Sequence, residues 1–165
     1  MKTILVPVDF SETTTPVIET ASTFARAFQS RLVLLHVTEF PPDLIGFEPG
    51  PMTITPPEPM REPEVEMRRL DELKRRIETA SNLEVLARHV RGPVADLILD
   101  EADEQQAGMI VMGSHGHGAL YHLLVGSATQ GVLKRATCPV VVVPALTEKA
   151  AEATSPLIPQ PLAAQ

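Results

Sequence analysis

At 165 residues the chain has the length of one ordinary domain, and its 44% apolar content is enough to bury a full core. Aromatics make up only 4%, with no Trp, so that core has to come from Val, Leu, Ile, Ala and Met, which is an α/β composition. The formal net charge of −7, from 21 acidic and 14 basic residues with no long Lys/Arg block, argues against general affinity for nucleic acid or anionic membranes, since both rest on a basic surface.

The N-terminal stretch MKTILVPVDF lacks a signal-peptide core and a small-residue cleavage site. No apolar run approaches the ~18 residues that a membrane span needs. A cytoplasmic protein with no membrane partner is the expectation.

Residues 3 to 8 read as a first strand that stops at Asp9, a carboxylate placed where a parallel strand meets its following loop. Thr15-Pro16 offers a helix start, with Thr at a cap position and Pro in the first turn. Val17, Ile18, Ala21, Phe24, Ala25 and Phe28 follow at helical spacing. A second buried run spans residues 31 to 37 and contains His36, read as a core histidine. Strand, helix and strand within so short a span form a βαβ unit.

Residues 41 to 63 differ, because eight of the sixteen prolines fall there together with Gly46 and Gly50. Such a segment holds neither helix nor sheet and reads as a long proline-rich insertion, either a cover over a cleft or a surface excursion. From Glu64, the positions Val65, Leu70, Leu73, Ile77 and Ala80 predict an amphipathic helix. Arg68, Arg69, Lys74, Arg75 and Arg76 lie on its solvated side. Residues 83 to 90 predict a third strand whose partial alternation suits a more exposed place in the sheet. Gly92-Pro93 then opens a third helix running to about Gln106. His89 and His122 show no evident partner.

Residues 109 to 112 and 140 to 143 are two further apolar runs without polar alternation, as parallel strands covered on both faces require. Between them lie Gly113, Gly116, Gly118 and Gly126, four of nine glycines, followed by Ser127 and Thr129 at the start of a helical pattern. Glycine lets a backbone approach a ligand, and a helix N-terminus offers free N–H groups at a positive dipole end. Together they suit an anion, although a tight loop alone would also use such glycines. His115-Gly116-His117 is weak as a metal pair. The single Cys138, just before Pro139, excludes an intramolecular disulfide and reads as a structural thiol. Residues 145 to 165 lose periodicity and are read as an Ala/Pro-rich C-terminal tail outside the domain of residues 1 to 144.

The order β-α-β-α-β-α-β-α-β predicts a doubly wound parallel open sheet, whose ligands lie beyond the carboxyl ends of the strands where strand order reverses. Asp9, Val37 and Gly113 would border that crevice. The glycine stretch fails two common phosphate templates. A Walker loop needs Lys-Ser/Thr where Ala119-Leu120 stand, and a dinucleotide fingerprint needs glycine at Tyr121.

What remains is Gly113-x2-Gly116-x9-Gly126-Ser127. With ILVPVDFSE at 4 to 12, LLHV at 34 to 37, IVMGSHG at 110 to 116 and GSATQGVLKRATCPVVVVP at 126 to 144, the chain closely resembles the universal stress protein family, in its UspA-like nucleotide-binding branch. The resemblance covers residues 2 to 144. It implies a three-layer, Rossmann-like five-stranded parallel sheet of the adenine nucleotide alpha hydrolase type, with strand order 3-2-1-4-5.

It also implies an ATP site. Pro7, Val8 and Asp9 would line the adenosine end, with Asp9 bonding ribose or adenine and the Val37 backbone facing the adenine. Met112 and Gly113 would border the ribose. Gly116, Gly126, Ser127 and Ala128 would present N–H groups, and Ser127 and Thr129 hydroxyls, to the phosphates, which would carry Mg2+ or Mn2+. A homodimer through the edge strand at 140 to 143 is implied as well. Gly108, where the family often has Asp, and the long insertion are departures.

No general base, arginine finger or lysine clamp is identifiable near the phosphate loop, so any ATPase or autophosphorylation activity should be slow. The expected function is an ATP-binding, nucleotide-dependent stress regulator or sensor. The main competitor is a dimeric, partner-binding stress module with a vestigial site, and a flavoprotein or adenylating ligase of related fold ranks below both.

Overall fold

The computed structural model describes residues 2–39, 63–114 and 125–144. Residues 41 to 62 of the insertion, Gly116, Gly118, His115, His117, His122 and the tail at 145 to 165 lie outside the described residues, whereas Pro63, expected as the insertion's last residue, is the first of a helix.

Five strands and four helices alternate along the chain: β1 (Thr3–Pro7), α1 (Thr14–Phe28), β2 (Arg31–Thr38), α2 (Pro63–Ser81), β3 (Val85–Arg91), α3 (Val94–Glu104), β4 (Met109–Gly113), α4 (Ser127–Arg135) and β5 (Val140–Val143). The strands form one sheet in the order β3-β2-β1-β4-β5, and every pairing is parallel. β1 ends one residue earlier than expected, at Pro7, yet the Val8 amide still donates to the Leu35 carbonyl at 2.8 Å. Pairing therefore carries the chain to the threshold of Asp9.

The apolar runs without alternation follow from the layers. Ile4, Val6, Leu32, Leu34 and Val111 meet Val17, Ala21 and Ala25 of α1 and Leu70 and Ile77 of α2 on one face. Leu5, Val33, Leu35, Ile110 and Met112 meet Ile98 and Ala102 of α3 and Val132 of α4 on the other. Successive residues of a strand point to opposite faces, so both parities must be apolar. Each fully buried Leu or Ile of these layers contributes about 1.5–3 kcal/mol relative to an exposed one.

The helix start expected at Thr15 lies slightly earlier, with Thr13 at the N-cap and no side-chain capping bond. The larger departure is in α2. Val65, expected inward, is 43% exposed, and Ala80 is also exposed. The buried stripe is Glu66, Leu70 and Ile77, with Leu73 packed beside it. Arg69, expected in solvent, lies over the Phe10 ring, 4.4 Å from its centroid. The spacing from Leu70 back to Glu66 is a helical i, i+4 step, so the face is continuous and a carboxylate occupies its first turn. Among the described residues no helix is long and apolar enough to cross a membrane.

Candidate functional site

β1 is flanked by β2 on one side and β4 on the other, so the strand order reverses at β1. In parallel sheets the helices leave in opposite directions from such a point, and a crevice opens beyond the strand ends. Asp9 stands at that opening. Its Oδ1 accepts from the Ser11 amide at 3.1 Å, the Ser11 hydroxyl at 2.7 Å and the Thr14 hydroxyl at 3.4 Å. Its Oδ2 is buried and finds no hydrogen-bond partner among the described residues. Buried polar atoms are almost always paired, so an orphaned carboxylate oxygen at a crevice is an acceptor awaiting a donor.

The turn that presents Asp9 is strained. Phe10 holds φ at 60°, in the left-handed region that a bulky residue rarely adopts. Its ring packs 4.6 Å from His36 and lies beneath Arg69, which holds the backbone there.

On the other side of the switch point, hydrogen bonds seat the start of α4 against the end of β4. The Ser114 amide donates to Val143 O, the Gly126 amide to Ser114 O, each at 2.8 Å, and the Thr129 hydroxyl to Gly113 O at 2.9 Å. The helix begins after Gly126, which brings no capping side chain. Its first intrahelical bond runs from Gln130 N to Gly126 O, so the amides of Ser127, Ala128 and Thr129 have no acceptor within the helix. They face the positive end of the helix dipole, where an anion is stabilised.

The fold therefore brings Pro7, Val8 and Asp9, Val37 at the end of β2, Met112 and Gly113 at the end of β4, and Gly126 to Thr129 at the head of α4 to the carboxyl side of one sheet. Thr129 differs from expectation in one respect. Its side chain is 3% exposed and its hydroxyl bonds the Gly113 carbonyl, so it ties α4 to β4, and of the two expected hydroxyls only that of Ser127 is exposed. Gly116 lies outside the described residues. Met112 is 4% exposed and belongs chiefly to the core beneath the crevice.

Cys138 is half-buried, and burial, with Asp103 adding to it, pushes its thiol above the ordinary range despite an opposing backbone hydrogen bond. The thiolate that a nucleophile requires is thereby disfavoured, in keeping with a structural thiol.

Sequence reasoning missed a second polar cluster. His89 contacts Glu66 and Thr38, and His36 contacts Glu66 as well. The only sequence signal was a carboxylate four residues before Leu70, on a face otherwise apolar.

A family model described as the universal stress protein family matches residues 1–144. A universal stress protein of Thermus aquaticus is 34% identical over 153 residues, spanning 86% of this chain and 98% of that protein. Among solved structures, a universal stress protein from Lactobacillus plantarum superposes with a TM-score of 0.68 at 22% identity, covering 86% of this chain and 97% of that one. A universal stress protein from Archaeoglobus fulgidus, solved in complex with dAMP, has a TM-score of 0.60 at 25% identity, covering 86% of this chain and 97% of the other.

Proposed function

This chain belongs to the universal stress protein family, and from that premise we propose that it is an ATP-binding, nucleotide-dependent stress-response regulator. The observation that carries the reading is the pairing of an orphaned Asp9 Oδ2 with an uncapped α4 N-terminus across one switch point. A carboxylate suits the hydroxyls of a ribose, and free amides at a dipole end suit phosphate. That the Archaeoglobus relative was solved with dAMP supports an adenine nucleotide as the ligand class.

The donor set at the head of α4 is a hydroxyl and backbone amides, with no carboxylate from Gly126 to Thr129. It fits a Mg2+ or Mn2+ ion held mainly by phosphate oxygens and water, as Mg2+ prefers. Turnover is expected to be slow.

Mass spectrometry of the denatured protein should release ATP or a breakdown product. Calorimetry on the stripped protein should show one ATP site per chain. Protein that carries no nucleotide and gives no heat with ATP, or that turns over as fast as ordinary kinases, sinks the reading.

β5 lies at the sheet edge, and three of its four valines are only half-buried. An apolar edge invites pairing with another chain, which favours a homodimer through β5. Light scattering is expected to give twice the 17.9 kDa chain mass, and a monomer at micromolar concentration rules this interface out. The partner-binding alternative is separated by the double variant Gly116→Ala, Ser127→Ala. If ATP binding is lost and stress protection in cells is unchanged, the nucleotide site is vestigial.

A further inference from the structure

On the face of the sheet covered by α1 and α2, three elements converge on a cluster that the nucleotide reading does not use. His36 of β2 and His89 of β3 stand directly opposite in register, their rings stacked with centroids 5.5 Å apart. Glu66, in the first turn of α2, reaches down between them. Its Oε2 lies 3.5 Å from His36 Nε2 and 3.0 Å from His89 Nε2, and the three side chains are 6–11% exposed. The three donor atoms all lie within 4.8 Å of one another.

The tautomer of His36 makes the arrangement informative. Its Nδ1 is 2.8 Å from the Val8 carbonyl, which can only accept, so Nδ1 carries the hydrogen. In the neutral ring, Nε2 then aims a lone pair at a carboxylate oxygen. Two acceptors cannot face each other in a buried site unless a cation stands between them. The carbonyl bond on the far nitrogen is also the contact that usually orients a metal-bound imidazole.

Burial works to raise the Glu66 carboxyl, but the Thr38 hydroxyl and the two imidazoles outweigh it and hold it below its ordinary value of 4.5. Burial pushes His89 below 6.5, against the pull of Glu66 and with help from His36 and Arg91.

We propose that His36 Nε2, Glu66 Oε2 and His89 Nε2 form a binding site for a divalent transition-metal ion of zinc's chemistry, fastening the first turn of α2 to β2 and β3. Two imidazoles with one carboxylate select such an ion over Mg2+, which prefers oxygen. The 3.0 and 3.5 Å spacings suit ligands at about 2.0–2.2 Å around a tetrahedral centre, with modest rotation of the imidazoles closing the third edge. The Thr38 hydroxyl, 2.5 Å from Glu66 Oε2 and 2.9 Å from His89 Nε2, borders the fourth position. Arg91 acts against the site by its charge, and its Nε is buried without a partner among the described residues.

The test uses the full chain, stripped of nucleotide and treated with chelator. Zn2+ titrated by calorimetry should bind one per chain, and Co2+ should develop the visible bands of a four-coordinate ion. Glu66→Gln and His89→Gln should each weaken Zn2+ by about 100-fold or more, whereas His115→Asn with His117→Asn should leave it unchanged. Mg2+ should not compete. No Zn2+ binding to the folded wild type, or binding that survives both cluster variants, overturns the proposal and leaves a proton on His36 Nε2 as the cation between the two groups. Should either variant fail to fold, imidazole resonances of the wild type decide: those of His36 and His89 must move with Zn2+, and their failure to move overturns the proposal equally.

Discussion

Asp9→Asn is expected to weaken ATP binding by about 10- to 100-fold while shifting the melting temperature by only a few degrees. The two carboxylate oxygens have separate duties. Oδ1 receives Ser11 and Thr14 and thereby shapes the turn into α1, and an asparagine carbonyl can take over those bonds. Oδ2, buried with no partner among the described residues, is the acceptor left for a ligand, and the substitution turns that position into a neutral donor. Hydrogen bonds to charged groups are worth about 1.5–3 kcal/mol, which is the source of the expected range. Calorimetry with ATP and a thermal melt on the same preparation check both halves. Unchanged affinity would remove Asp9 from the site, and a large loss of stability would mean that its work is structural.

Gly131→Leu is expected to lower stability by about 3 kcal/mol and the melting temperature by about 6–12 °C. A Cβ at Gly131 would meet Ala95 Cβ of α3 at 2.8 Å, closer than real side chains come, and Leu adds three more atoms at the same point. The helices must therefore move apart. Arg135 of α4 also pairs with Asp96 of α3 at 2.5 Å, a surface bond that would stretch with them. Because the same helix begins at Ser127, displacing it also moves the amides of the proposed phosphate site, so ATP affinity should fall together with stability. Gly131→Ala should be milder, since the better helix propensity of Ala, worth about 1 kcal/mol, offsets part of the overlap. A leucine variant that melts within two degrees of wild type would show that α4 does not rest on α3 as closely as described.

The alternation of strands and helices was legible in the chain because each apolar run had one of two periods. The runs at 32 to 35 and 109 to 112 are apolar at every position, which fits a strand buried on both faces. The stripe from Val17 to Ala25 recurred at helical steps and packs as expected. α2 was harder. Its expected stripe ran through Val65, Leu70, Leu73, Ile77 and Ala80, and Leu70, Leu73 and Ile77 do pack inward. Val65 and Ala80 at its edge are exposed, and Glu66, passed over because it is charged, is buried instead. Thr38, His36 and His89 supply the polar contacts that let this carboxylate go inside.

Half of the proposed nucleotide site could be read from local signals: a carboxylate at a strand end, glycines after another strand, and a serine starting a helix. The Thr129 hydroxyl was legible as a donor but not as one directed at Gly113 O, since that depends on how α4 is seated over β4.

By itself, then, the sequence determined a parallel α/β sheet, the strand ends that line its crevice and the family to which it belongs. The sheet and its strand ends follow from periodicity and from residue types within a few positions of each other, and the family from the resemblance of the motifs at 4 to 12, 34 to 37, 110 to 116 and 126 to 144. The tertiary structure alone decided that one oxygen of Asp9 stays unpaired among the described residues, that α4 rests on α3 through Gly131, and that His36, Glu66 and His89 meet. These residues are 23 to 53 positions apart in the chain. Only the register of β2 on β3 and the rotation of α2 about its axis bring them within bonding distance.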